Sequence, residues 1–180
     1  MTWIEPLVRG VLAGMRRTLL GIYLNDHVAV VTAGVELARR FARAEAAWAG
    51  NGKLDRLAEE MAEDRDALVD MMRALGEPSR PTGHWAGWLL EKAGRLKANG
   101  RLLNRSPLSR VEELEGLRLG VEGKVAAWRT LRARAAVDPR LDADRLDELI
   151  ANGRSQATRL ERLRARAVAE LFGEETDQAA

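Results

Sequence analysis

Residues 20–48 read LGIYLNDHVAVVTAGVELARRFARAEAAW. Leu20, Leu24, His27, Val31, Gly34, Ala38 and Phe41 recur in strict 4,3 spacing, the seam of a helix that packs in a bundle. Ala49-Gly-Asn-Gly ends the pattern with residues that break helices. The spacing then repeats. Leu54, Leu57, Met61, Asp64, Leu68, Met71 and Leu75 predict a second helix, stopped by Gly76 and Pro78. Ser106-Pro107 is a cap followed by proline at the first helical turn, and opens a third helix carrying Val111, Leu114, Arg118, Val121, Val125 and Trp128. Asp138-Pro139 offers the same start signal for a fourth, with Leu146, Leu149, Gly153, Gln156, Leu160, Leu163 and Ala167 in register. Nothing alternates with the period of two that marks a strand.

The expectation is an all-α chain, with four long helices in a bundle over residues 20–172. Residues 1–19 form an N-terminal amphipathic appendage, with Trp3, Ile4, Leu7, Val8, Val11 and Leu12 on one face, or precede a natural start at Met15. The tail 173–180 is polar and reads as disordered. The 31 residues 76–106 are too many for a turn between neighbouring helices, and Trp85, Trp88, Leu89, Ala93 and Leu96 predict a short helix around 84–97. A link of that length can cross the whole bundle, which is the ferritin-like connection between two antiparallel helix pairs.

Composition removes many chemistries. The 180 residues include no cysteine, which excludes disulfides, zinc fingers, a Cys nucleophile and Fe–S ligation. The two histidines are His27 and His84. A di-iron carboxylate bundle needs two Glu-x-x-His motifs; the second helix offers Glu60-Met-Ala-Glu63, and the fourth has no histidine. No phosphate loop or nucleophile–base pair stands out. The 29 basic residues, 25 of them arginine, oppose 27 acidic ones, and the signs alternate as in RLDADRLDEL. On helices that is the pattern of exposed ion pairs rather than of a nucleic-acid face. No uninterrupted apolar run reaches the ~20 residues of a membrane span, so the chain reads as cytoplasmic.

Candidate sites remain. Each seam has one polar member near its middle: His27, Asp64, Arg118 and Gln156, a polar core layer in which Asp64 and Arg118 pair. Glu36, Asp64, Glu115 and Glu122 are carboxylates for an all-oxygen divalent-metal site. Arg95, Lys97, Arg101 and Arg105 gather basic groups on the link, a patch for an anion or an acidic partner. The leading reading is a non-enzymatic bundle without a cofactor, working through a protein partner or as a homodimer. The alternative is a ferritin-like protein holding a metal or small ligand among carboxylates, and a weaker one is an anionic-surface or nucleic-acid binder.

The strings YLNDHVAVVTAGVELARR (23–40), EKAGRLKANGRLLNRSPLSRVEELEGLRLGVEGKVAAWRTL (91–131) and DPRLDADRLDELI (138–150) resemble an uncharacterised family of small all-helical proteins from actinobacterial-type genomes. The resemblance runs from about Tyr23 to Phe172. It implies a ferritin-like helical bundle and carries over no particular activity. Its densest points are Asn25, Asp26, His27, Glu36, Asp64, Glu91, Lys92, Arg95, Lys97, Glu115, Glu122 and Lys124.

Overall fold

The structure, a computed structural model, describes residues 4–50, 52–78 and 107–173, with side chains from residue 19 onward. These residues form four helices and no strand: α1 (Ile4–Ala49), α2 (Lys53–Leu75), α3 (Pro107–Ala135) and α4 (Ala143–Phe172). The expected boundary near residue 19 is not a break. The backbone of α1 is helical from Ile4 onward, and its one departure from helical geometry is at Glu45 (φ −118°, ψ 18°). The short helix expected around 84–97 and the tail after 173 lie outside the described residues.

Local chemistry sets the ends. Gly50, Gly52 and Gly76 adopt positive φ, which a side chain resists, and they bracket α2. At Gly76 the exit is a Schellman turn: Gly76 N donates to Arg73 O at 3.0 Å and Glu77 N to Met72 O at 2.9 Å. The fourth helix starts later than Asp138-Pro139 suggested. Asp142 is its N-cap, accepting from Arg145 N at 3.0 Å. Asp138 is instead buried in the preceding loop, where it accepts from Arg140 Nη2 at 2.7 Å and Arg140 Nε at 2.8 Å. Arg140 Nη1 also donates to Leu75 O at 2.9 Å, tying that loop to the end of α2.

Pairwise contacts give the directions. Tyr23 meets Thr130, Arg40 meets Glu113 and Glu45 meets Arg110, so α1 and α3 are antiparallel. Gly34 faces Met61 and Asn25 donates to Pro78 O, so α1 and α2 are antiparallel as well. Glu115 pairs with Arg164 and Asp147 with Arg132, reversing α4 against α3. The ring order is α1, α2, α4, α3, with every neighbouring pair antiparallel. Consequently α2 and α3 run the same way. Pro78 lies beside Asn25 and Arg110 beside Glu45, about 30 Å apart along α1.

One apolar core runs through all four helices, from Leu24, Val31, Val35 and Phe41 to Leu146, Leu149 and Leu160. Trp128 is fully buried within it. The α3–α4 interface is close-set. Gly153 sits where a Cβ would lie 2.5 Å from Val125 Cγ2, so the glycine lets the two backbones approach.

Candidate functional site

Three buried polar side chains meet inside the bundle. Asp64 comes from α2, Lys124 from α3 and Gln156 from α4; each is at most 4% exposed. Lys124 Nζ donates to Asp64 Oδ2 and, at 2.6 Å, to Gln156 Oε1. Gln156 Nε2 donates to the same Asp64 Oδ2 at 2.9 Å, closing a triangle. Burial lowers the Lys124 pKa from its ordinary value, against the opposing pull of Asp64. A buried charge survives only when partnered, and the glutamine satisfies both members of the ion pair at once.

Two members of the triad, Asp64 and Gln156, line a cleft of about 420 Å³ between α2 and α4. Glu60, Glu63 and Asp64 line it from α2, at i, i+3 and i+4 on one helix face. Arg145, Leu149, Asn152, Ser155, Gln156 and Arg159 line it from α4. Arg159 grips Glu60 with both terminal nitrogens, Nη1 to Oε1 at 2.9 Å and Nη2 to Oε2. Arg145 Nη1 reaches Glu148 Oε2 at 2.8 Å, and Glu63 has no ion pair or hydrogen bond among the described residues.

The other candidates read from the sequence are dispersed. Of the polar layer, Asp64 and Gln156 come together. Their cation is Lys124 in place of the expected Arg118, which is half-buried and pairs with Glu161 Oε2 at 2.7 Å. His27 is half-buried on α1, with Nδ1 2.8 Å from Tyr23 O and its ring 4.2 Å from that of Tyr23. Among the carboxylates, Glu36 is exposed and pairs with Arg39, Glu115 is exposed near Arg164, and Glu122 is exposed. None of these three joins Asp64. Among the described residues, no group of three or more His, Asp or Glu side chains is placed to hold a metal ion. Arg95, Lys97, Arg101 and Arg105 lie outside the described residues.

No family model, no curated protein and no solved structure matches the chain. Its chemistry therefore rests on its own side chains. The signal for Lys124 was present in the sequence, because Leu114, Leu117, Val121, Lys124 and Trp128 share a second 3,4 stripe beside the one through Arg118. Both stripes face neighbours, since α3 packs against α1 and α4 together; Lys124 lies on the inner one.

A second polar cluster sits where the end of α4 meets α1. Trp48 Nε1 donates to Glu170 Oε2 at 2.6 Å, and the Arg110 and Arg166 guanidinium carbons stand 4.5 and 4.7 Å from its ring centre. Arg110 Nε also holds the buried Glu45 at 2.9 Å. The Trp48 hydrogen bond, with help from Arg166, holds the Glu170 carboxyl below its usual pKa. The arrangement ties α1, α3 and α4 together at this end through cation–π contacts and ion pairs.

Proposed function

We propose that this protein is a non-enzymatic helical bundle that works by association, and that its partner is a second copy of the same chain joined through α1. The observation that carries this reading is the apolar face of α1. Leu19 is 62% and Ile22 55% exposed, one turn apart on the same side of the helix. Val8, Leu12 and Met15 precede them at 4,3,4 spacing on the same continuous helix, so Val8 to Ile22 has the spacing of a coiled-coil seam about 21 Å long. A seam that repeats along one helix is complementary to its own copy, which is the requirement of a two-fold interface. Leu19 and Ile22, large apolar side chains left exposed one turn apart, mark such a surface.

In this reading the four helices have the ferritin-like order, two antiparallel hairpins joined by a link that crosses the bundle. The common direction of α2 and α3 supports it, as does the resemblance noted in the sequence. No helix among the described residues is long and apolar enough to cross a membrane.

Sedimentation equilibrium of the full chain at about 50 µM tests the association. A dimer that becomes a monomer on Leu19→Glu/Ile22→Glu supports the reading; both positions are exposed, so the fold survives the change. A monomeric wild type refutes it. So does a dimer indifferent to the two substitutions.

A further inference from the structure

Two copies joined along α1 can run parallel or antiparallel, and the charges around the seam separate the two arrangements. Continued past Ile22 with the same 4,3 spacing, the seam reaches Asp26; continued before Val8, it reaches Glu5. The apolar layers are therefore bounded by a carboxylate at each end. Asp26 is half-buried and has no ion pair or hydrogen bond among the described residues. Arg9 and Arg16 each directly follow a seam position, Val8 and Met15, and so flank the seam on one side.

In a parallel pair the two-fold axis runs along the seam, and each seam residue meets its own copy. Asp26 would then oppose Asp26, and Glu5 would oppose Glu5. Like charges set against each other disfavour a contact, and nothing across this seam offsets them. Arg9 and Arg16 would flank the partner's Ile4 and the partner's Val11, which carry no charge.

An antiparallel pair distributes the same residues differently. Leu19 packs on the partner's Met15 and Ile22 on the partner's Leu12, so the two-fold axis crosses α1 at Arg17. The next layer sets Asp26 against the partner's Val8, with the partner's Arg9 one residue further on. By symmetry each end of the seam gains one carboxylate–guanidinium pair. Glu5 falls opposite the partner's Ala29. One like-charge contact remains, Arg16 with its copy, and long arginine side chains can turn such charges out to water.

We propose that the two copies pair antiparallel through α1, with an ion pair between Asp26 and the partner's Arg9 at each end of the seam. The inference rests on the association through α1 argued above and adds its direction and its polar ends. The two bundles then stand at opposite ends of the seam.

Double electron–electron resonance on the full chain tests the direction, at the concentration used for sedimentation. The chain has no cysteine, so Glu36→Cys, an exposed change, carries a single nitroxide label. At 1.5 Å per residue from an axis at Arg17, two labels should stand about 57 Å apart, against less than about 35 Å in a parallel pair. The long distance should vanish when Leu19→Glu/Ile22→Glu is added. Sedimentation tests the ends: Asp26→Lys should weaken the dimer about tenfold, and Asp26→Lys/Arg9→Glu should restore it. A short distance, or a loss that Arg9→Glu does not repair, overturns the antiparallel pairing while the α1 dimer stands. A monomer without any dipolar signal, or a long distance that survives Leu19→Glu/Ile22→Glu, overturns the association through α1 and this inference with it.

Discussion

Replacing Lys124 by methionine keeps the length and most of the volume of the side chain while deleting its charge. Asp64 would remain 95% buried with one neutral donor, Gln156 Nε2, and Gln156 Oε1 would lose the donor it has among the described residues. Removing one member of a buried ion pair costs about 3–5 kcal/mol, since the surviving charge keeps its desolvation penalty without compensation. For a chain of this length that corresponds to a fall in Tm of roughly 6–20 °C. The triple change Lys124→Met, Asp64→Leu, Gln156→Leu removes all three polar groups and should recover to the parent's stability or exceed it by ~1–4 kcal/mol. Urea unfolding followed by far-UV circular dichroism measures all three proteins. A Lys124→Met variant within 1 kcal/mol of the parent would refute the buried pair, as would a triple variant no better than the single. Alkaline titration adds a signature. Burial lowers the Lys124 pKa from 10.5, so between the folded value and 10.5 the unfolded chain holds more protons. The Lys124 contribution to stability therefore increases as pH rises across that window, and Lys124→Met lacks the increase.

Gly153→Ala would normally gain helix propensity, but here its Cβ meets Val125 Cγ2 at 2.5 Å; a loss of about 1–3 kcal/mol is expected by thermal unfolding, with recovery in Gly153→Ala/Val125→Ala. Hydrogen bonds from Arg140 hold the Asp138 carboxyl far below its ordinary pKa of 3.8, so its contribution to stability is present above pH 3.8 and lost as the pH falls below that value. Asp138→Asn should flatten the acid limb of a stability–pH curve, and an acid limb identical to the wild type's would contradict this.

The helices were legible because their seams are nearly pure. Leu24, Val31, Ala38 and Phe41 on α1, and Leu146, Leu149, Gly153, Gln156 and Leu160 on α4, sit buried where 4,3 spacing puts them. Asp64 and Gln156 stood out as polar interruptions of such seams, and both entered the triad. Lys124 was harder to place: a lysine next to an apolar stripe usually reaches outward to water, and only packing on two neighbours at once turns it inward. Arg118 was misplaced for the converse reason, as one helix step rotates it toward Glu161 at the edge of the α3–α4 seam. The cleft had no sequence signature, because it depends on which face of α2 meets α4 across 92 residues of chain from Asp64 to Gln156.

The triad joins what chain order keeps apart. Asp64 belongs to the α1–α2 hairpin, whereas Lys124 and Gln156 belong to the α3–α4 hairpin. Each hairpin can zip up from contacts between near neighbours, so early folding draws on short-range pairing. Docking the two then has a built-in proofreader. A sliding offset of one turn would leave the lysine and the carboxylate buried about 5 Å out of step, each without its counter-charge. The polar triangle thus acts as a latch that closes at a single alignment, and two separately made halves of the chain should find the same fit without a covalent connection.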